Sequence, residues 1–441
     1  MVLGGFASRR GGRALLLFGT ALGAGLTAAT PARAAGFYLQ EQSVRGWGRA
    51  NSGEVADQGP DSLWWNPAAI GWSDRASASF GATAVFPRGR VEDNGTLIDR
   101  PVVPPLPVGG LAVLRNPIQS GVAPHLALAL PISHHVALGL AVTAPFNFTT
   151  DYDPSGWQRY SAIRTRLTTL DLQPSIAFAP SRAISVGAAL NVEYADAWLS
   201  NALPNLAPGS PDARLRLTGS GWDLGWSAGV QLRPVPGVSL GLGYKSAIEH
   251  KLKGPVDISG LLGPLAARNV NAQTVARFTT PWQLAIGARA GVGARVTLNA
   301  QAVRYGWSEF DRIDVAAPLN SAIAENYRDT WSFAFGVDAE AGSRLTLRAG
   351  IQTDPTPTRD VSRDARVPDA DRIDYNVGAS LRLGAHFTLD AAAALTSLRG
   401  SAIIRDESFY AGTGAQTDVL TDGRARNQRV LVFALGGRIG L

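Results

Sequence analysis

Five histidines are the first residues to consider for chemistry, since histidine serves as a general base and as a metal ligand. They are His125, His134, His135, His250 and His386, and none are spaced like zinc ligands. There is no Cys, no G-x-S-x-G and no phosphate-binding glycine loop. A His–Ser lipase stays open, because catalytic triads are defined by geometry. We predict no catalytic residue, no metal site and no cofactor.

Basic residues on polar strand faces form a second group, because they could bind an anionic head group. A charged hydrogen bond of this kind contributes roughly 1.5–3 kcal/mol. The candidates are Lys245, Arg289, Arg348 and Arg382. Acids on the same predicted faces would neutralise several of these cations, and for any single cation this pairing is the preferred interpretation. The acids are Glu193, Asp223, Asp338 and Asp390.

The elements that position these side chains are strands with two different faces. In residues 373–384 apolar residues alternate with polar residues and Gly, and residues 331–338 and 184–193 repeat the pattern. Such alternation is typical of strands. The predicted strands run to about ten to sixteen residues, against about five or six in soluble proteins. Charges on the polar faces indicate a wet lumen, because a Lys or Arg facing lipid costs about 2–4 kcal/mol.

The connections between strands alternate between tight and long. Residues 180–182 and 341–343 are tight turns, whereas residues 355–370 and 405–426 are longer loops. This alternation is typical of outer-membrane barrels. Charged residues make up 17% of the chain, below the roughly 25% usual in soluble domains. We predict an all-β fold, a transmembrane β-barrel of about fourteen antiparallel strands over residues 76–441, with both ends in the periplasm.

The first 34 residues have the three parts of a secretory signal peptide. Arg9, Arg10 and Arg13 precede an apolar stretch over residues 14–29, and Ala32-Arg33-Ala34 forms a cleavage site. We predict that residues 1–34 are removed on export. Removal lowers the net charge from +6 to about +2, and the remaining basic residues lie among acids, so we expect no nucleic-acid binding.

The stretch over residues 35–75 shows no alternation. It is rich in Gly and small polar residues and carries four Trp. Irregular backbone at membrane depth has to be buried in protein or line water. We therefore predict that residues 35–75 form a hatch inside the barrel lumen. Its Gly residues permit tight turns, and Asn66-Pro67 fixes one of them.

Short motifs in order along the chain resemble the FadL/TodX family of outer-membrane transporters for long-chain fatty acids and hydrocarbons. In the hatch they are Ala35-Gly36-Phe37, Gly48-Arg49-Ala50, Ser52-Gly53-Glu54 and Asn66-Pro67-Ala68. Later ones are Gly221-Trp222, Tyr244-Lys245-Ser246, Trp307-Ser308-Glu309-Phe310 and residues 367–372. The resemblance implies a fourteen-stranded barrel with an N-terminal hatch. Our hatch and gate residues are Gly36, Phe37, Asn66, Pro67 and Ala68.

Two long extracellular loops are unusually apolar, and in the family a ligand-collecting groove lies between the corresponding loops. The groove candidates are Leu199, Leu203, Leu206, Ile258, Leu261, Leu262 and Leu265. The alternative is that these side chains only pack the loops into a cap. Where the family's basic pocket residue would fall, this chain has Ala195-Asp196. That departure leaves room for neutral aromatic or alkane ligands beside fatty acids.

The predicted function is passive uptake of hydrophobic small molecules across the bacterial outer membrane. The steps are capture on the loops, transfer to a lumen pocket, and release by hatch movement or lateral exit. Expected partners of the monomer are this ligand, outer-membrane lipid and lipopolysaccharide. The barrel-insertion machinery would recognise the alternating last strand, which ends at Leu441. Alternatives are an outer-membrane lipid-acting enzyme and, less favoured, an open porin for polar solutes.

Overall fold

The computed structural model describes residues 38–440. The predicted signal peptide over residues 1–34 and the predicted hatch residues Gly36 and Phe37 lie outside this part of the chain. Between residues 38 and 440, no helix is long and apolar enough to cross a membrane. Strands dominate, and fourteen of them form the wall of a barrel.

Nine wall strands are continuous and five are divided into two consecutive segments. The continuous strands are β1 (Ser77–Asp93), β5 (Gly121–Pro131), β8 (Arg164–Phe178), β9 (Ile184–Leu203), β10 (Ala213–Leu232), β18 (Thr330–Glu340), β19 (Leu345–Asp354), β20 (Arg372–Leu383) and β23 (Thr417–Gly440). The divided strands are β6 (Val136–Thr143) with β7 (Asn147–Asp151), β11 (Val238–Lys245) with β12 (Ile248–Ser259), β13 (Val270–Thr280) with β14 (Trp282–Val292), β15 (Val296–Gly306) with β16 (Arg312–Val315), and β21 (Phe387–Leu398) with β22 (Ser401–Phe409).

Each wall strand pairs antiparallel with its sequence neighbours, and the sheet closes where β1 pairs with β23. The closing register runs from Ser77 opposite Gly440 to Asp93 opposite Gly423. Closure leaves no open sheet edge, which is the condition for a sheet to cross lipid. This closed fourteen-stranded antiparallel barrel confirms the predicted fold class.

Side chains alternate between the outer face and the lumen, as the sequence pattern predicts. On β18, Phe333 and Phe335 are 46% and 60% exposed, whereas Ser332 and Asp338 are buried. Exposed apolar side chains recur on other strands: Leu224, Ile286, Leu298, Val377, Leu431 and Phe433. An apolar outer face of this kind is stable in lipid, because water is then excluded from it.

The two ends of the barrel differ in their connections. Short turns such as residues 341–344 lie at one end, which is the periplasmic end of such barrels. At the other end, residues 94–120 contain β2 (Leu97–Asp99), β3 (Leu106–Pro107) and β4 (Val113–Arg115), and β17 (Ser321–Ala324) pairs with β16.

One predicted loop is wrong. Much of residues 405–426 belongs to the hairpin of β22 and β23, which pair from Ser401 opposite Ala425 to Phe409 opposite Thr417. These strands continue past the apolar outer face, where charged residues such as Arg424 and Arg426 point outward. The apolar–polar alternation ends there although the strands do not, so the sequence pattern underestimated their length.

Residues 38–72, here called the N-terminal segment, lie inside the barrel. The segment contains helix α1 (Val44–Trp47) and three 3₁₀ helices, Glu54–Ala56, Pro60–Ser62 and Pro67–Ile70. Together these helices contact β1, β5, β8, β9, β10, β11, β14, β20 and β21. Because these strands are distributed around the wall, the segment fills the lumen across its width.

Glycines on the lumen face of the wall allow this close approach. A Cβ atom at Gly229 would collide with the side chain of Asn66, and one at Gly350 would collide with the backbone of Arg49. Similar collisions would occur at Gly187, Gly241, Gly243, Gly336 and Gly378. We call these seven residues the glycine belt. The belt accounts for part of the high glycine content of the polar strand faces.

Candidate functional site

The Asn66-Pro67-Ala68 turn attaches the N-terminal segment to the wall. Asn66 Oδ1 accepts a hydrogen bond from the Ala68 amide at 2.9 Å, which caps the third 3₁₀ helix. Asn66 Nδ2 donates to the carbonyl of Val55 at 2.8 Å and lies 3.2 Å from that of Val230 on β10. The same nitrogen lies 3.4 Å from the carbonyl of Leu242 on β11. One side chain therefore joins two parts of the segment and two wall strands, and all three residues of the turn are buried.

Ten charged side chains connect the N-terminal segment to the wall, and we call them the ion network. Asp57 lies at its centre, 2.6 Å from Arg49, 3.2 Å from Arg45 and 3.1 Å from Arg289 of the wall. The segment contributes Arg45, Arg49, Glu54, Asp57 and Asp61, and the wall contributes Arg289, Asp338, Arg348, Asp390 and Arg438. Five arginines face five acids, so the network is electrically balanced.

The four predicted basic candidates lie in three different environments. Arg289 and Arg348 belong to the ion network, each 3.0 Å or less from Asp338. Lys245 lies 3.5 Å from Asp171 and 4.3 Å from the ring centre of Trp64. Arg382 is exposed near the periplasmic end. Within residues 38–440, none of the four lines the apolar cavity described below.

The four acids expected to pair with these basic residues lie in two different environments. Asp338 and Asp390 belong to the ion network. Glu193 and Asp223 lie instead on either side of the buried His250, each 3.4 Å from one of its ring nitrogens. This histidine is held by two carboxylates inside the wall. Among residues 38–440, no three or more His, Asp or Glu side chains are arranged so that they could hold a metal ion.

The wall is broken in its third strand. β6 ends at Thr143 and β7 begins at Asn147, and β6 pairs with β5 only as far as Val142. The start of the N-terminal segment lies against this break. The Leu39 amide donates to the Pro145 carbonyl at 2.7 Å, and Gln42 Nε2 lies 3.3 Å from the Ala144 carbonyl. The segment thus satisfies backbone groups that the interrupted strand leaves without a ladder partner.

A mostly apolar cavity lies in the lumen, near the long loops. Its lining surrounds about 640 Å³ of empty space, which includes space open to solvent. Its apolar lining includes Phe148, Leu167, Leu199, Leu217, Leu252, Ala276, Phe278, Phe310 and Ile313. Its charged lining residues are Arg166, Glu325 and Arg366. Arg166 pairs with Asp196, and Arg366 lies 2.5 Å from Asp364.

Glu325 is the exception among these charged residues. It is 6% exposed, and its carboxyl group has no hydrogen-bond or ion-pair partner among residues 38–440. Nearby, Asp364 and Glu407 already contact Arg366 and Arg405. Burial and the proximity of Asp364 raise the pKa of Glu325 to about 8. Both effects favour the neutral carboxylic acid, which can donate a hydrogen bond into the cavity.

A second, more polar cavity adjoins the first, since Phe148, Arg366 and Val367 line both. Its lining includes Glu41 of the N-terminal segment and Arg372 of β20. Burial raises the pKa of Glu41 to about 7 although Arg372 opposes the shift. The second cavity also reaches Ile118, which forms an isolated β-bridge with Thr150 beside the wall break. The second cavity is also lined by Phe148 and Thr150 of β7, the segment that begins just after the break.

The two apolar loops pack against each other. Four candidates form one buried cluster, Leu203, Ile258, Leu261 and Leu265, with Leu206 packed against it. Leu262 is 51% exposed, and Leu199 lines the apolar cavity. The clustered residues are 2% to 9% exposed, so in this conformation they pack as a cap and not as an open groove.

Several site residues were not predicted from the sequence. Leu252, Phe278 and Glu325 line the cavity, yet they lie on segments far apart in the chain. Only Glu325 could have been noticed in the sequence, because this acidic residue directly follows the apolar run Ala322-Ile323-Ala324. Of the ion network, Arg45 lies in α1, and Arg49 follows directly after the Gly48 that ends this helix.

Comparison with known proteins agrees with this architecture. A family model described as outer membrane protein transport protein (OMPP1/FadL/TodX) matches residues 25–432. The long-chain fatty acid transport protein of Escherichia coli is 24% identical over 422 residues, which cover 86% of this chain and 92% of that protein. Outer membrane protein P1 of Haemophilus influenzae is 25% identical over 405 residues, covering 83% and 86%.

Two solved structures share the fold. A FadL homologue of Pseudomonas aeruginosa superposes with a TM-score of 0.79 at 24% identity, over 92% of this chain and 99% of that one. The Ralstonia pickettii toluene transporter TbuX gives a TM-score of 0.64 at 16% identity, over 90% and 98%.

The family match over residues 25–432 places the protein in the bacterial outer membrane as a transport protein. It sets aside the lipid-acting enzyme, because members of this family are transporters. It also agrees with the closed fourteen-stranded barrel. The chain therefore belongs to the OMPP1/FadL/TodX family of outer membrane transport proteins.

Proposed function

We propose that the protein carries hydrophobic small molecules inward through the apolar cavity, driven by the ligand gradient alone. The observation that carries this proposal is the position of the cavity. It lies beneath the loop cluster, adjoins the second cavity, and is separated from the periplasm by the N-terminal segment. Capture on the loops would require the cap of Leu203, Leu261 and Leu265 to open.

Release follows from the contacts at the wall break. Residues Tyr38 to Gln42 cover the break, so displacing this stretch would open the wall to lipid. Movement of the whole N-terminal segment would instead open the lumen to the periplasm, but it would also disrupt the ion network. The smaller movement breaks fewer contacts, which favours lateral exit.

Filling the cavity tests this proposal. Ala276→Phe adds a ring to the cavity lining, and we expect uptake of a radiolabelled long-chain hydrocarbon by whole cells to fall by about tenfold. The matched control is Ala300→Phe, which adds the same ring to the outer face near Phe333 and Phe335. Equal uptake by the Ala276→Phe variant and the wild type would show that ligands do not pass through this cavity.

Within the hydrophobic ligands, we infer a preference for neutral molecules over carboxylates. The cavity cations Arg166 and Arg366 are already paired with acids, so neither is free for a ligand carboxylate. The carboxyl group of Glu325 has no cation paired with it, and an ionised ligand carboxylate placed beside it would bury a negative charge without compensation. A neutral ligand with one hydrogen-bond acceptor would accept from it. The names of the relatives mention fatty acids and toluene. Among such ligands, we expect neutral molecules such as toluene and esters to bind more tightly than free fatty acids.

Replacing Glu325 tests this preference. We expect the wild type to bind a long-chain methyl ester more tightly than the free acid of the same length at pH 7. Glu325→Leu should weaken ester binding by about five- to tenfold and remove the discrimination. Glu309→Leu, at an exposed position in the same loop region, is the control. A wild type that prefers the free acid, or an unchanged ratio in Glu325→Leu, would refute the inference.

A further inference from the structure

Six arginines cluster on the outer face of the wall at the long-loop end. They lie on three neighbouring strands, with β1 between β4 and β23. The six are Arg115 on β4, Arg88 and Arg90 on β1, and Arg424, Arg426 and Arg429 on β23. Five of them are exposed and Arg90 is partly buried. We call this cluster the arginine patch.

The register of the sheet places like charges directly opposite one another. Arg88 faces Arg429 across the β1–β23 pair, and Arg90 lies between Arg426 and Arg115. Like charges in such positions are destabilising. The patch is therefore unfavourable for the isolated protein, and an anion that lies between the strands would relieve the repulsion.

Acids of the protein do not supply this compensation. Glu92 lies 2.6 Å from Arg90 and 3.1 Å from Arg426. Within residues 38–440 the other four guanidinium groups, those of Arg88, Arg115, Arg424 and Arg429, have no ion pair with an acid. Six arginines and one glutamate leave five positive charges uncompensated around an open basin of about 1750 Å³.

The position of the patch along the wall indicates what the anion is attached to. Phe86 and Leu431 are opposite each other on the outer face and are 41% and 44% exposed. The ring of Phe86 lies 6.2 Å from that of Phe433, also on the outer face. Arg88 follows Phe86 by two residues, about 7 Å along the strand. The patch thus begins where the lipid-facing surface ends, at the depth of the outer-leaflet head groups.

We propose that the arginine patch binds the phosphorylated head group of lipopolysaccharide. Arginine binds phosphate through paired, charge-assisted hydrogen bonds, and a basin of this size accommodates more than one phosphate. Lipopolysaccharide combines clustered phosphates with acyl chains, which would lie along Phe86, Leu431 and Phe433 below the patch. Inorganic phosphate offers no chains, and a phospholipid offers a single phosphate. Arg88 and Arg429 also line the second cavity, whereas Arg90, Arg115, Arg424 and Arg426 line only the outer basin.

The triple variant Arg88→Gln/Arg424→Gln/Arg429→Gln tests the proposal. We expect purified wild-type barrel to retain lipopolysaccharide, measured by mass spectrometry per mole of protein, and the variant to retain about tenfold less. The sign of the stability change gives a second readout. In detergent without lipopolysaccharide the variant should unfold at the same temperature as the wild type or higher, because repulsion is relieved. With lipopolysaccharide added, only the wild type should gain stability.

Controls separate the possible sources of the anion. Arg214→Gln/Arg277→Gln/Arg312→Gln removes three exposed arginines elsewhere at the loop end and should behave as the wild type. Inorganic phosphate and phosphatidylglycerol vesicles should stabilise the wild type less than lipopolysaccharide does. Equal stabilisation by either, or equal retention of lipopolysaccharide by the patch variant and the wild type, would overturn the proposal.

Discussion

Deleting residues 38–70 is expected to turn the protein into a steadily conducting pore. The N-terminal segment fills the lumen and is held there by the ion network and the Asn66 turn. Barrels only slightly larger contain an open aqueous channel. In planar bilayers we expect the mean conductance to rise by about tenfold or more over that of the wild type.

A deletion outside the lumen provides the matched control. Residues 410–416 connect β22 to β23, and removing them should leave the conductance low because the segment stays in place. Low conductance in the 38–70 deletion would mean that the loops close the barrel. High conductance in the wild type would favour the open porin for polar solutes.

Replacing Asp57 with alanine is expected to destabilise the closed barrel by about 3–5 kcal/mol. The carboxylate lies against Arg45, Arg49 and Arg289, and its removal leaves these buried positive charges in excess. Unfolding by guanidinium in detergent micelles should shift to lower denaturant concentration. The N-terminal segment should also become accessible to protease and the bilayer conductance should increase.

The pH dependence of this contact follows from its charges. Burial alone would raise the pKa of Asp57, but Arg289, Arg45 and Arg49 hold it well below its usual range. The stabilisation is therefore fully present above the ordinary pKa of aspartate and is lost only as the pH falls through the lowered value. The stability lost in Asp57→Ala should thus be the same at about pH 8 and at about pH 5, measured by guanidinium unfolding.

Two further variants test whether the destabilisation by Asp57→Ala comes from the loss of charge balance. Asp74→Ala removes an exposed acid just beyond the segment and should have little effect. Asp57→Ala/Arg289→Ala removes one charge of each sign and should recover part of the lost stability. If the double variant loses as much free energy of unfolding as the two single variants together, charge compensation is not the reason for the destabilisation.

The wall could be predicted from the sequence because lipid and water impose a simple alternation on every strand. Residues 331–338 show it clearly, and the structure places Phe333 and Phe335 outside and Asp338 inside. The alternation no longer predicts the strands where their outer face passes from lipid into water. Above the lipid, Arg424 and Arg426 face outward, so β23 begins earlier than its alternation suggests. The break at residues 144–146 was missed because apolar residues continue at every second position across it, from Val142 through Ala144 and Phe146 to Phe148.

The site was less accessible to sequence reasoning because barrel closure decides which side chains meet. Parity alone places Arg289 and Arg348 in the lumen, but not next to Asp57 and Asp338. The cavity residues Phe148 and Phe278 are 130 positions apart and meet only through the curvature of the wall. The N-terminal segment was recognisable by its lack of pattern, whereas its fixed position depends on glycines of other strands.

The glycine belt has a consequence for the order of assembly. Gly229 and Gly350 lie so close to the segment that a single methyl group would not fit between them. A segment with so little clearance cannot be threaded into a finished cylinder without breaking backbone contacts. The pairing that closes the barrel joins β23, the last strand in the chain, to β1. We therefore expect the wall to form around the segment before this pairing closes it.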